Sequence, residues 1–590
     1  MKKKGIVFLL ILALMLSVFA ACAPAEEADS PTDDPDTEET TDPVEDEDED
    51  EEDTEEVSDE PSGTLIVGIE EASGNFNPLY YSSAYDGFTV DMLFQGLIKL
   101  DENGEFVPSV AESWEFSDDE LSITFKMRED IVFSDGEPLT ADDVVFTYTV
   151  LADPSYTGRY GSYVRDMKGF DEYYGEETDE FEGVVALSDY EVQFNFEEVN
   201  RINLSNSGFS ILPEHYYGAD FTPGDTSSVE AITSEPIGSG PYKLENFQPE
   251  ELVYVTRNEN YADGGYLVKD VIMKFVDMTT DIVELTSGEI DYLPQVIEPD
   301  KINQALDAGF EMNSYPRSGY GYVKTNHEWG PTSEVEVRQA LYHAFNIEEF
   351  VNSYFLDEVS GEVLANTQAH PFSQVSWAID DALLDEMNDY EFDLDRANEI
   401  LDEAGWVREG DGVRTKDGEP LKLNIAAMPD HDILATLIPM WERDWGEGLG
   451  VELDVAYLEF NTMLDYVIYN SDENVDQWSL FFLAVSITTM DPHTHYSSFH
   501  SDYIGSGMDN TSRYSNEEVD ALFDEAKAIM DPEEATPIYR DIVKILNEEA
   551  VMMPVYANIY HDLYNEKLQD FHTDSLWNWV QALEDARIVE

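Results

Sequence analysis

A fold of mixed helix and strand, α/β or α+β with several domains, follows from three features of this 590-residue sequence. The body from about Thr64 to Glu590 is longer than one hydrophobic core serves and suits two or three domains. Short strand-like runs alternate with helix-like runs along it. Several helix starts carry a Ser or Thr followed three residues later by an acid, the pair that satisfies the free amides of a first turn.

In chain order, "TLIVGIE" (64–70) and "LSITFKM" (121–127) read as strands. Capping pairs stand at Thr140/Asp143, Ser333/Glu336 and Ser515/Glu518, each before an amphipathic run. "DLDRANEILDEAG" (393–405) predicts a helix with Asp393 as N-cap and Gly405 as its stop. "GEGLG" (446–450) lacks the spacing of a dinucleotide loop and reads as a turn beside the strand-like "VELDVAYL". No internal repeat is evident.

The N-terminus has a separate logic. Lys2, Lys3 and Lys4 precede an apolar run from Gly5 to Ala21, the pattern of an export signal. Cys22, the single cysteine, follows at once; it has no intramolecular disulfide partner, and thiolate metal sites need several sulfurs. "SVFAACAPAEE" (17–27) resembles a bacterial lipobox, with Phe19 where that pattern prefers Leu. The resemblance implies a lipoprotein signal peptide at 1–21 and lipid attachment at Cys22, which two or three acyl chains would hold stably at a membrane. An uncleaved anchor helix and ordinary cleavage near Ala21-Cys22-Ala23 are the alternatives. From Glu26 to Glu60 there are 22 Asp or Glu and no Lys or Arg. Residues 22–62 therefore read as a disordered acidic tether, reaching up to ~130 Å when extended.

Net charge is −99, and the tether explains only part of it. Without those 22 acids and Lys2 to Lys4, 107 acids and 27 Lys or Arg remain, close to −80. Such a field opposes nucleic-acid binding, which draws its affinity from cations on phosphates. A surface this acidic suits a saline exterior that screens its self-repulsion. The body has no further apolar run long enough to cross a bilayer.

Ordered blocks cover nearly the whole body: "QGLIKLDENGEFVPSVAESWEFSDD" (95–119), "FSDGEPLTADDVVFTYTVLADP" (133–154), "IGSGPYKLENF" (237–247), "ELTSGEIDYLP" (284–294), "VRQALYHAFN" (337–346), "DLDRANEILDEAGW" (393–406) and "YSNEEVDALFDEA" (514–526). Together they resemble the bacterial extracellular solute-binding proteins of family 5, the oligopeptide and dipeptide receptors of ABC importers. Asn346 departs from the pattern, which often has Asp there, and a helix-end effect is all that is expected of it. The resemblance implies a two-lobed α/β fold of the periplasmic-binding-protein type (type II) with an extra subdomain on lobe I. Lobe I would comprise 64–103, 231–325 and 554–590, the extra subdomain 104–230, and lobe II 326–553. It also implies a monomer outside the cell, on the periplasmic or cell-surface side, that closes over a small solute, most simply an oligopeptide. A separate permease and ATPase would then take that solute up. No G-x-S-x-G, H-E-x-x-H, C-x-x-C or P-loop pattern supports an enzyme, and no cofactor is implied.

For the cleft, the resemblance points to Phe76, Tyr80 and Tyr81, to Gly238 and Ser239 in a flexible "GSG" turn, and to Trp377, Phe482, Thr488, Asp491 and His493. Sequence leaves Ser239 open as a nucleophile. In peptide-binding relatives an Asp three residues before an Asp/Glu-Pro pair holds the ligand ammonium; here Thr488 stands before Asp491-Pro492. Asp491 could substitute, or the ligand could be a sugar, an opine-like compound or a capped peptide. His493, His495 and His500 form a cluster open to two readings, a polar cleft loop or a site for nickel or a metal chelate. A sensing or adhesion protein that has kept the fold is the rival class.

Overall fold

The computed structural model describes residues 60–589 apart from 369, 430 and 488. The signal peptide, Cys22, nearly all of the tether and Thr488 thus lie outside the described residues.

The frame is a sheet whose strands run in the order Glu452–Tyr457, Lys422–Ala427, Leu480–Ser486, Gly319–Thr325, Met552–Tyr564, Tyr292–Val296, Ser62–Ile69, Val268–Phe275, Leu252–Arg257, Tyr242–Gln248. Ser62–Ile69 lies parallel between Val268–Phe275 and Tyr292–Val296, with Leu65 and Val67 fully buried. Its apolar run is what a strand covered on both faces requires. Met552–Tyr564 joins the two halves of the sheet. Its first residues pair with Gly319–Thr325 through Met552↔Lys324 and Met553↔Val323. Its last residues pair with Glu311–Pro316 and Tyr292–Val296 through Tyr560↔Tyr315 and Leu563↔Leu293. Each half has its own core, one around Leu65, Phe125, Tyr242 and Trp579, the other around Val323, Leu341, Trp441 and Phe482.

A second, four-stranded antiparallel sheet is ordered Ala111–Phe116, Ser122–Met127, Glu191–Asn195, Val184–Ser188 and is covered by the helix Ala141–Ala152. That helix starts at Thr140, whose backbone N–H donates to the Asp143 carboxylate at 2.8 Å in a complete capping box. Asp393 caps Leu394–Glu403 by accepting from the Arg396 N–H, and Gly405 follows in the left-handed region at φ +88°. Asn346 accepts from the Glu349 N–H and so caps Ile347–Tyr354.

Three local expectations need correction. Ser333 does not cap the helix at 335: its hydroxyl turns back to the Gly330 carbonyl, and Glu334 holds the cap position. At the next start the cap is Asn516, one residue beyond Ser515, accepting from the N–H groups of Glu518 and Val519. "GEGLG" is the end of a helical segment, Glu442–Leu449, closed by Gly450 at φ +74°, and not a free turn.

The "GSG" at 238–240 is likewise a packing seam, not a flexible turn. Gly240 N donates to Leu93 O at 2.8 Å, and a Cβ on Gly238 would lie 2.0 Å from that same carbonyl oxygen. Gly238→Ala is therefore expected to cost about 1–3 kcal/mol of stability in denaturant unfolding. Gly264→Ala, with open space around its site, is expected to stay within about 0.5 kcal/mol of wild type.

Candidate functional site

Alternation along Gly319–Thr325 puts Tyr320, Tyr322 and Lys324 on one side of the strand, and all three line a cavity of about 370 Å³. Val485 to Ile487, at the end of the neighbouring strand, and Gly507 to Asp509 form other walls. Arg159 reaches the cavity from the segment 104–230. The cavity thus lies where that segment faces the second half of the sheet.

Lys324 is only 6% exposed and its ammonium has no hydrogen-bonding or ion-pair partner among the described residues; the Tyr322 ring lies 5.7 Å from Nζ. Burial pushes its ammonium down to about 8, with Asp509 opposing. The Arg159 guanidinium sits 4.6 Å from the Tyr81 ring centre and 4.7 Å from that of Tyr160, and donates to the Tyr160 hydroxyl at 2.5 Å. Asp91 is exposed and lies within electrostatic reach of Arg159. His495 also lines the cavity, stacked on Phe372 at 4.6 Å, and burial takes it down to about 3, so it is neutral near pH 7.

Beside the cavity the two sides touch directly. Arg201 Nε donates to Asp491 Oδ2 at 2.7 Å, and Nη1 donates to Ile529 O at 2.6 Å. The same guanidinium lies 4.9 Å over the Trp377 ring. Lys527 pairs with Glu198 at 2.5 Å, and Arg201 N donates to Lys527 O. The Arg201 side chain is 4% exposed and that of Asp491 26%, so this pair is screened far less than a surface bridge.

Of the residues expected in the cleft, Tyr81 stands beside Arg159, and Trp377 and Asp491 take part in the Arg201 junction. Asp491 meets an arginine of this chain, not an open space for a ligand ammonium; its other oxygen accepts from the His493 N–H at 2.9 Å. His493 is fully buried, with Nδ1 2.9 Å from the Tyr539 hydroxyl, and burial takes it down to about 3. Phe76 and Phe482 are core residues, against Phe247 and Tyr556 respectively. Tyr80 packs on Tyr156. Ser239 is 1% exposed, with no hydrogen-bond partner for its hydroxyl among the described residues, so nothing there activates it as a nucleophile. The three histidines diverge: His493 to Tyr539, His495 to the cavity, and His500 to the Asp502 N–H. Among the described residues no group of His, Cys, Asp or Glu could hold a metal ion.

Lys324, Arg159 and Arg201 were not singled out from sequence. The signal for Lys324 lay in "GYGYVKT", where a period of two aligns Tyr320, Tyr322 and Lys324. For the arginines it lay in the scarcity of cations, which makes each one informative.

A double-mutant cycle on Arg201→Ala and Asp491→Ala, read by denaturant unfolding, is expected to give a coupling of about 1–3 kcal/mol. Additive effects would mean that the pair does not join the two sides.

Comparison with known proteins agrees with this architecture. Residues 105–507 match the family model described as bacterial extracellular solute-binding proteins, family 5 Middle. The chain is 26% identical over 516 residues to the oligopeptide-binding protein AppA of Bacillus subtilis, covering 87% of this chain and 89% of that one. The structure of AppA in complex with a nonapeptide superposes with a TM-score of 0.77 at 24% identity, covering 90% of this chain and all of that one. NikZ from Campylobacter jejuni, in complex with Ni(L-His), gives a TM-score of 0.72 at 23% identity over 87% of this chain and 96% of that one. Among the described residues no helix is long and apolar enough to cross a membrane. With its family match, two-lobed α/β fold and cavity between facing surfaces, the chain belongs to the bacterial extracellular solute-binding proteins of family 5.

Proposed function

We propose that this protein captures oligopeptides outside the cell by lobe closure and delivers them to the permease of an ABC importer. The observation that carries the reading is the similarity to an oligopeptide-binding protein, which spans 87% of the chain and so takes in both halves of the sheet and the segment between them. The cavity supports it: walls from facing surfaces let a ligand favour the closed state through contacts that only closure completes. On this reading the lobes hinge where the chain passes between the sheet halves, at 316–319 and near 556–559, and the segment 104–230 is the extra subdomain of lobe I. The protein itself breaks no bond, and energy comes from a separate ATPase. We further propose a monomer lipid-anchored through Cys22, its acidic tether holding the body away from the membrane, and a surface charge suited to a saline exterior.

A non-peptide solute, a sugar or a metal chelate, is the second reading. It is favoured by the Arg201–Asp491 pair, which engages the carboxylate otherwise available to a peptide ammonium.

Mass spectrometry of what purified protein releases on denaturation separates the two. A set of short peptides of related length is expected. A sugar or a nickel complex as the sole released species would contradict the peptide reading.

A further inference from the structure

With 129 Asp and Glu against 30 Lys and Arg, a cation of this chain that lacks a carboxylate partner is an exception. Most of the described ones are in ion pairs. Arg257, Arg338 and Arg408 use their N–H groups on backbone carbonyls. Lys243, Lys269 and Lys567 are partly or fully exposed and do not line the cavity. Lys324, Arg159, Arg165 and Arg317 remain; Lys324 is buried, Arg165 and Arg317 are half-buried and Arg159 is exposed, yet all four border one place. Lys324 and Arg159 line the cavity. Arg165 donates to Met508 Sδ at 3.7 Å and Arg317 to Ser486 Oγ at 3.3 Å, and both acceptors line it too. Asp509 is the one acidic residue in the lining and Asp91 lies near Arg159, but among the described residues no carboxylate pairs with any of the four cations.

We propose that this cavity selects an anionic solute, with a carboxylate of the ligand seated against Lys324 and Arg159. On the peptide reading, on which the ligand class rests, that solute is an acidic peptide. A buried ammonium that no carboxylate pairs, with Asp509 acting on it only from beyond ion-pair distance, is unfavourable, and a ligand carboxylate would supply the closer charge and hydrogen bonds together. Tyr320 and Tyr322 offer the ligand's apolar parts a wall beside it. The net charge of −99 would repel such a ligand at long range, but salt screens that repulsion within ~3 Å at 1 M while leaving a desolvated contact nearly intact.

Titration calorimetry on the full-length protein tests this with three probes. They are a pentapeptide of alternating Ala and Glu, its Gln counterpart with an amidated C-terminus, and citrate as a polycarboxylate without peptide bonds. The acidic peptide is expected to bind at least ~10-fold tighter than the amidated one, and Lys324→Met to weaken it ~10- to 100-fold while changing the amidated one less than ~3-fold. The preference should fade between pH 7 and 9 in wild type and stay flat in Lys324→Met. Of the groups facing Lys324, burial holds His495 and His327 neutral and raises Tyr322, leaving Asp509 as the charged group that acts on it, with Arg159 elsewhere in the cavity lining. Thermal melting checks that the variant is folded, and Lys324→Met should melt no lower than wild type because it removes an unpaired buried charge. Equal affinity for both peptides, or a preference unchanged in folded Lys324→Met, overturns the inference and leaves the peptide reading standing. Lys324-dependent binding of citrate with neither peptide binding keeps the anion site and overturns the peptide reading. Binding of neither the acidic peptide nor citrate overturns the anion site.

Discussion

The strand Met552–Tyr564 constrains everything else. Its two ends hydrogen-bond to different halves of one sheet, so any relative movement of the halves must be absorbed in that strand and in the short passage from Pro316 to Gly319. Both halves keep separate cores, which lets each move as a body while the backbone between them bends. The cavity hangs from the same feature, because Gly319–Thr325, which supplies Tyr320, Tyr322 and Lys324, is the strand hydrogen-bonded to its first half. On the proposed reading, such a receptor would read its ligand through the geometry of that hinge.

Charge distribution is the second constraint. The chain has few cations, and most of those among the described residues are used in structure: Arg201 joins the two sides at Asp491, and Arg338 ties the start of a helix to the Glu549 carbonyl. Against that pattern a buried Lys324 in a cavity wall, with no hydrogen-bond or ion-pair partner among the described residues, has no structural task that the fold itself explains. Its place beside two tyrosines, opposite Arg159, makes ligand recognition the simplest physical reason for keeping it.

Much of the fold was legible in the sequence because it rests on local rules. "TLIVGIE" and "LSITFKM" are strands, and Thr140, Asp393, Gly405 and Asn346 act at helix ends as their chemistry requires. Where a neighbour offered a better cap, as Asn516 did beside Ser515, the expectation slipped by one residue. The site was less legible. Phe76 and Phe482 are aromatic for packing, and a run of sequence does not separate a core ring from a cleft ring. Asp491 was expected in the cleft as a partner for a ligand ammonium; it meets Arg201 instead, which lies 290 residues away, and no local pattern announces that pairing. The histidines at 493, 495 and 500 look like a cluster in sequence, yet two short helical turns send them to different partners.

The central claim is that ligand is held between facing surfaces at the Gly319–Thr325 strand. Hydrogen–deuterium exchange on the ligand-stripped protein, before and after adding the peptides it releases when first purified, tests this most directly. Protection is predicted around Arg159 and in 485–487 and 507–511 together, since residues there line the cavity from both sides. Protection confined to 234–237 and 244–247, which line a separate open groove on the first half, would contradict it.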